Sequence, residues 1–117
     1  MKIITAAMWI AFSSLSSLAH ADRIYDVLGQ GNHSCGQWLQ ERPRGNFNSY
    51  LMQAWLLGYV TSVNANVLEK DSDITSRTDS DGLFAWVDRY CTANPLDRLS
   101  RAAAALVDTL LARSHAR

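Results

Sequence analysis

Between residues 47 and 67, apolar side chains occupy nearly the whole circumference of a 3.6-residue helix. Tyr50, Ala54, Leu57, Thr61 and Ala65 form one line, and Leu51, Trp55 and Gly58 form the next. A helix that is apolar on every side belongs at the centre of a bundle, covered by several neighbours. Either Asn46 or Asn48 starts it. The other segments are more one-sided. Residues 35–42 predict a short helix with Ser34 as N-cap and Gln37 three positions on, the pattern of a capping box, stopped by Pro43 and Gly45. Residues 80–93 predict a helix capped by Asp79, with Phe84, Val87 and Cys91 on a line flanked by Leu83, Trp86 and Tyr90. At Asn94-Pro95, Asn suits an N-cap and Pro the first helical position. A last helix then follows through Leu96, Leu99, Ala103, Leu106 and Leu110, with Arg98, Arg101 and Asp108 off that line. Residues 69–78 have no period and read as a solvated loop. The alternation of a strand is missing, so the expected fold is all-α, a small four-helix bundle.

Ahead of these elements, Met1-Lys2 precede an apolar run over residues 3–18 that ends in Ala19-His20-Ala21, a small-x-small triplet. This predicts a signal peptide over residues 1–21, cleaved on export. The competing reading, a membrane anchor, needs roughly 20 apolar residues, and Ser13, Ser14, Ser16 and Ser17 interrupt this run. Cleavage leaves residues 22–117, 96 of the 117, enough for one domain. No cysteine near the cut marks a lipid anchor, so a soluble product of the bacterial periplasm is expected. In that oxidising compartment the two cysteines, Cys35 and Cys91, should form one disulfide. A domain this small buries only about 60–65% of the surface its unfolded chain exposes. Closing a 56-position loop should stabilise it by roughly 4 kcal/mol.

Removing Lys2 from the 11 basic residues leaves 10 against 11 acidic ones, a net charge near −1. That balance lacks the basic footprint of a protein that binds nucleic acid or an anionic membrane. Glu69, Asp71, Asp73, Asp79 and Asp81 crowd the middle, while Arg89, Arg98, Arg101, Arg113 and Arg117 mark the end. A polar loop followed by solvated helix faces accounts for both.

The candidate chemistry is sparse. His33-Ser34-Cys35 brings together three reactive residue types, but Gly31-Asn32-His33-Ser34-Cys35-Gly36 lacks the glycine two before the serine and follows no strand, so it is no nucleophile elbow. His33 and His115 are far apart and do not form a zinc pattern. Asp71-Ser72-Asp73 opens like a calcium loop, yet Ser76 stands where its glycine belongs and Gly82 where its bidentate glutamate belongs. No metal or cofactor is therefore expected, and no paired acid, base and nucleophile indicates an enzyme. Trp38, Trp55 and Trp86 read as core filling around the disulfide, with a ligand-stacking platform as the alternative. Gly58, inside the central helix, predicts close approach of a second helix or a tryptophan ring. Tyr90, Asn64 and Gln53 read as hydrogen-bonded polar groups on apolar elements, or else as a binding pocket.

Cys35-x-x-Trp38, the run Trp55-Leu56-Leu57-Gly58-Tyr59, an aspartate-bearing loop, and Tyr90-Cys91 followed by Asn94-Pro95 and an Ala/Leu helix together resemble the HdeA-like superfamily of small exported helical proteins. That group includes acid-stress chaperones and the Tai-class immunity proteins of type VI secretion. The resemblance spans most of residues 22–117 and implies a four-helix domain whose disulfide joins the first and third helices. It also implies that the domain acts by binding protein, either an unfolded client or an effector toxin, with a homodimer among its assembly states. The acid chaperones are richer in lysine, whereas only Lys70 remains here after cleavage. Chain length and the lone disulfide place the chaperone reading first and the immunity reading second.

Overall fold

The computed structural model describes residues 25–67 and 72–116, so the segment expected as a signal peptide, as well as Glu69 and Asp71, lies outside them. Four helices make up the fold: α1 (Cys35–Glu41), α2 (Phe47–Ala65), α3 (Ser80–Ala93) and α4 (Leu99–His115). Short 3-10 turns at Gly29–Asn32 and Arg42–Arg44 flank α1, and no strand occurs among the described residues. The fold is thus the all-α bundle that the patterning predicts.

Local chemistry sets most of the helix starts. Ser34 accepts a hydrogen bond from the Gln37 N–H and donates its own N–H to the Gln37 side chain, closing a capping box on α1. Asn46 caps α2 by accepting from the Ser49 N–H, and Asp79 caps α3 by accepting from Gly82. Gly45 turns the chain out of the Arg42–Arg44 turn with φ +58°, a left-handed conformation that costs glycine little.

The start of α4 differs from the expectation at Asn94-Pro95. Asn94 instead terminates α3, with both its N–H and its side-chain amide donating to the Tyr90 carbonyl. The carbonyls of Pro95 and Asp97 are taken by the N–H groups of Gly36 and Cys35. Those donors are the unpaired first-turn groups of α1, so the connector, a turn closed by the Asp97 N–H donating to the Asn94 carbonyl, also satisfies α1. Leu99 N–H donates to the His33 carbonyl, and α4 begins there without a side-chain cap. Leu96 falls outside the helix and is 95% exposed.

The core joins Cys35 and Trp38 of α1, Met52, Leu56 and Val60 of α2, the α3 line around Phe84 and Val87, and Leu99, Leu106 and Leu110 of α4. Three expectations need correction here. First, α2 does not occupy the centre of the bundle: it buries only the stripe Ser49, Met52, Leu56 and Val60. Its neighbours are α1, α4 and the two 3-10 turns, and outside that stripe its apolar residues are half-buried or exposed. Second, Gly58 is exposed and meets open space. The close approach occurs at Gly31 instead, where a Cβ would overlap the Trp55 ring. Third, Ile74 in the loop is buried, because Asn64 accepts from the Ile74 N–H and donates to Asp73, drawing that segment onto the core.

Candidate functional site

Helical spacing brings Cys35, Trp38 and Arg42 to one side of α1, and Phe84, Asp88 and Cys91 to one side of α3. The two sides meet at the disulfide between Cys35 and Cys91, with Cα atoms 4.8 Å apart and neither residue exposed. Trp38 is fully buried beside it, and its indole N–H donates to Asp88 Oδ1 at 2.7 Å. Asp88 also receives Arg42 Nε and Nη2, both at 3.2 Å, as a two-pronged ion pair. The Arg42 guanidinium in turn lies 5.0 Å from the Phe84 ring centre and 5.5 Å from that of Trp38. No buried side-chain nitrogen or oxygen among the described residues lacks a partner, so this seam is hydrogen-bonded throughout its buried part.

On the outer flank of α3, Trp86 and Tyr90 stack at 5.6 Å, both half-buried. The Tyr90 hydroxyl donates to Asp97 at 2.6 Å. That hydrogen bond raises the phenol above its usual pKa of 10.0, helped by burial and the Asp97 charge and opposed by Arg101. Gln53 donates to Ser49, and Asn64 bonds within the loop, so the three polar groups singled out in the sequence are all hydrogen-bonded. His33 faces Gln37 at 3.0 Å, Ser34 is the cap and Cys35 is a cystine, so this tripeptide assembles no nucleophile. Among the described residues no group of three His, Cys, Asp or Glu side chains could hold a metal ion.

The three tryptophans therefore divide. Trp38 is core beside the disulfide, while Trp55 and Trp86 pack against the core from outside. Trp55 stacks on Tyr59 at 5.6 Å and donates its N–H to the Leu28 carbonyl, which ties the segment before α1 down onto α2. On the side of α2 away from the core, Phe47 is 74% exposed and Tyr50 62%. Leu51 is half-buried nearby, with Ala54 and Gly58 exposed beside it, while Leu57 turns back to pack against the core. Phe47 and Tyr50 are the large hydrophobic side chains of the four helices that stand exposed among the described residues.

Asp88 and Arg42 escaped the sequence reading. The available signal was positional: Asp88 stands four residues after Phe84 and three before Cys91, which places a charge on the cystine side of an apolar arc. No family model matches the chain, and neither a curated protein nor a solved structure does.

Proposed function

We propose that this chain is a non-enzymatic, periplasmic protein-binding domain that works as an HdeA-like acid-stress chaperone, with the outer side of α2 as its contact surface. The observation that carries this reading is the exposure of Phe47 and Tyr50 on one side of α2, beside exposed Ala54 and half-buried Leu51. Single exposed apolar residues are ordinary. A contiguous aromatic and aliphatic patch is the composition of a protein contact surface, and a second copy of the chain docked on the same side would cover it. The disulfide suits an oxidising compartment.

Acid response follows from charge. Carboxylates as a class become neutral in strong acid, at about pH 2–3, which leaves the arginines of the domain without counter-charges. With Lys2 and His20 removed by cleavage, 10 Lys and Arg and 2 His remain, so net charge swings from about −1 to about +12 before the termini are counted. Self-repulsion loosens the domain, while the cystine keeps α1 tied to α3. Met52 and Leu56 then add to the surface offered to a client.

A second reading, an immunity protein that neutralises a secreted effector, is favoured by one observation: Phe47 and Tyr50 are uncovered without any loosening. Light scattering of an acid-unfolded dehydrogenase at about pH 2–3, with and without the domain, separates the two. A chaperone suppresses aggregation there while its tryptophan fluorescence reports loosening. A domain that stays folded in acid and leaves client aggregation unchanged overturns the chaperone reading in favour of immunity-type binding.

A further inference from the structure

A cavity of about 290 Å³ lies where the segment before α1 crosses α2, lined by Tyr25, Asp26, Leu28, Trp55 and Tyr59 among others. Part of its wall is held in place. The Trp55 N–H donates to the Leu28 carbonyl, the Asn32 side chain donates to the Val27 carbonyl, and Arg98 donates to Asn32 at 2.9 Å. Gly31 packs so closely on the Trp55 ring that no Cβ fits there, which fixes the ring's position. The Trp55 and Val27–Leu28 part of the wall is therefore fixed before any ligand arrives, Tyr25 and Asp26 stand exposed at its rim, and the volume is at the lower edge of small-molecule sites.

The lining chemistry has one sign. The lining includes the rings of Tyr25, Trp55 and Tyr59, the last two stacked on each other, and the carboxylate of Asp26, and among the described residues no basic side chain lines it. Arg98 is engaged with Asn32 outside the lining. The only indole donor there, that of Trp55, is already spent on Leu28, so it cannot attract an anion. Burial, then Tyr25, then Asp108 hold the Tyr59 hydroxyl above its ordinary pKa of 10.0, and of these Asp108 is the one that carries negative charge at neutral pH. Aromatic faces joined to a carboxylate are the chemistry that takes up ammonium and guanidinium groups.

The geometry points to a receptor site for one organic cation between Tyr25, Asp26, Trp55 and Tyr59. Its ligand is either the charged end of an arginine or lysine side chain or a free quaternary ammonium compound. The cation would lie against the ring faces with Asp26 as counter-charge. This inference stands on the cavity alone and does not depend on chaperone or immunity activity.

The test is an NMR titration of the disulfide-bonded protein at constant ionic strength, following the assigned Trp55 indole N–H. The probes are N-acetyl-arginine amide, N-acetyl-lysine amide, tetramethylammonium chloride and, as the neutral control, N-acetyl-citrulline amide. A saturable shift of the Trp55 resonance with the cations and none with citrulline is expected, while the Trp38 and Trp86 resonances stay in place. Tighter binding of the amino-acid amides assigns the ligand to a peptide side chain, and tighter binding of tetramethylammonium assigns it to a free compound. Tyr25 and Asp26 are exposed, so Tyr25→Leu and Asp26→Asn should keep the fold and weaken binding about 2- to 30-fold, the range of a single cation–π contact. A Trp55 resonance that does not move with any cation, or that moves equally with citrulline, overturns the proposal.

Discussion

The α1–α3 seam and the outer side of α2 are built from similar residues, and they differ in what covers them. At the seam, Trp38 and Phe84 are closed in by a disulfide and by an Asp88–Arg42 pair whose polar atoms are all engaged. On α2, Phe47 and Tyr50 are no less aromatic, yet they face water. Residue type alone therefore does not separate cohesion from recognition. The separation comes from which elements pack where, and among the described residues Phe47 and Tyr50 of α2 are left exposed while Ser49, Met52, Leu56 and Val60 are buried.

The sharpest way to break that contrast is to truncate a ring on each side. Trp38→Ala should cost about 3–5 kcal/mol, because it empties a fully buried site. It also removes one of the donors to Asp88. Phe47→Ala should change the urea midpoint by no more than about 0.5 kcal/mol equivalent. Equal costs at the two positions would mean that α2's outer side is packed after all.

A smaller effect separates two glycines. Gly31→Ala forces a methyl into the Trp55 ring and should cost about 1–3 kcal/mol. Gly58→Ala, at an open helix-interior position, should instead stabilise by about 0.5–1 kcal/mol. Thermal melts of both variants check the pair, and a destabilising Gly58→Ala would contradict the open surface around it.

The least dramatic prediction concerns alkali. Because the folded-state pKa of Tyr90 is raised above 10.0, the hydroxyl's contribution is fully present below the unfolded value. It is lost as pH rises through the folded one. Urea midpoints of the wild type should therefore fall more steeply above about pH 10 than those of Tyr90→Phe. Parallel curves would remove the Tyr90–Asp97 bond from the stability account.

Features written in local chemistry were legible. The Ser34–Gln37 capping box, the Asp79 cap with α3 over its full length, and the 3–4 spacing of Leu99, Ala103, Leu106 and Leu110 depend on residues a turn or two apart. Features decided by distant partners were not. The start of α4 was displaced from Asn94-Pro95 because α1's unpaired N–H groups captured the intervening carbonyls. The burial of α2 was unreadable because a helix apolar all round carries no period to say which side is covered, and Ile74 is drawn inward by Asn64, ten positions away. At the candidate surface the pattern places Tyr50 on a covered central helix and does not single out Phe47, because exposure depends on which elements pack against α2.

The central claim is that α2's outer side binds protein without holding the fold together. The most direct measurement is the Phe47→Ser/Tyr50→Ser double variant, assayed for stability at neutral pH and for suppression of client aggregation at about pH 2–3. The expected result is a urea midpoint within about 0.5 kcal/mol equivalent of the wild type, together with loss of client protection. Protection that survives the double substitution, or a stability loss beyond about 2 kcal/mol, would contradict it.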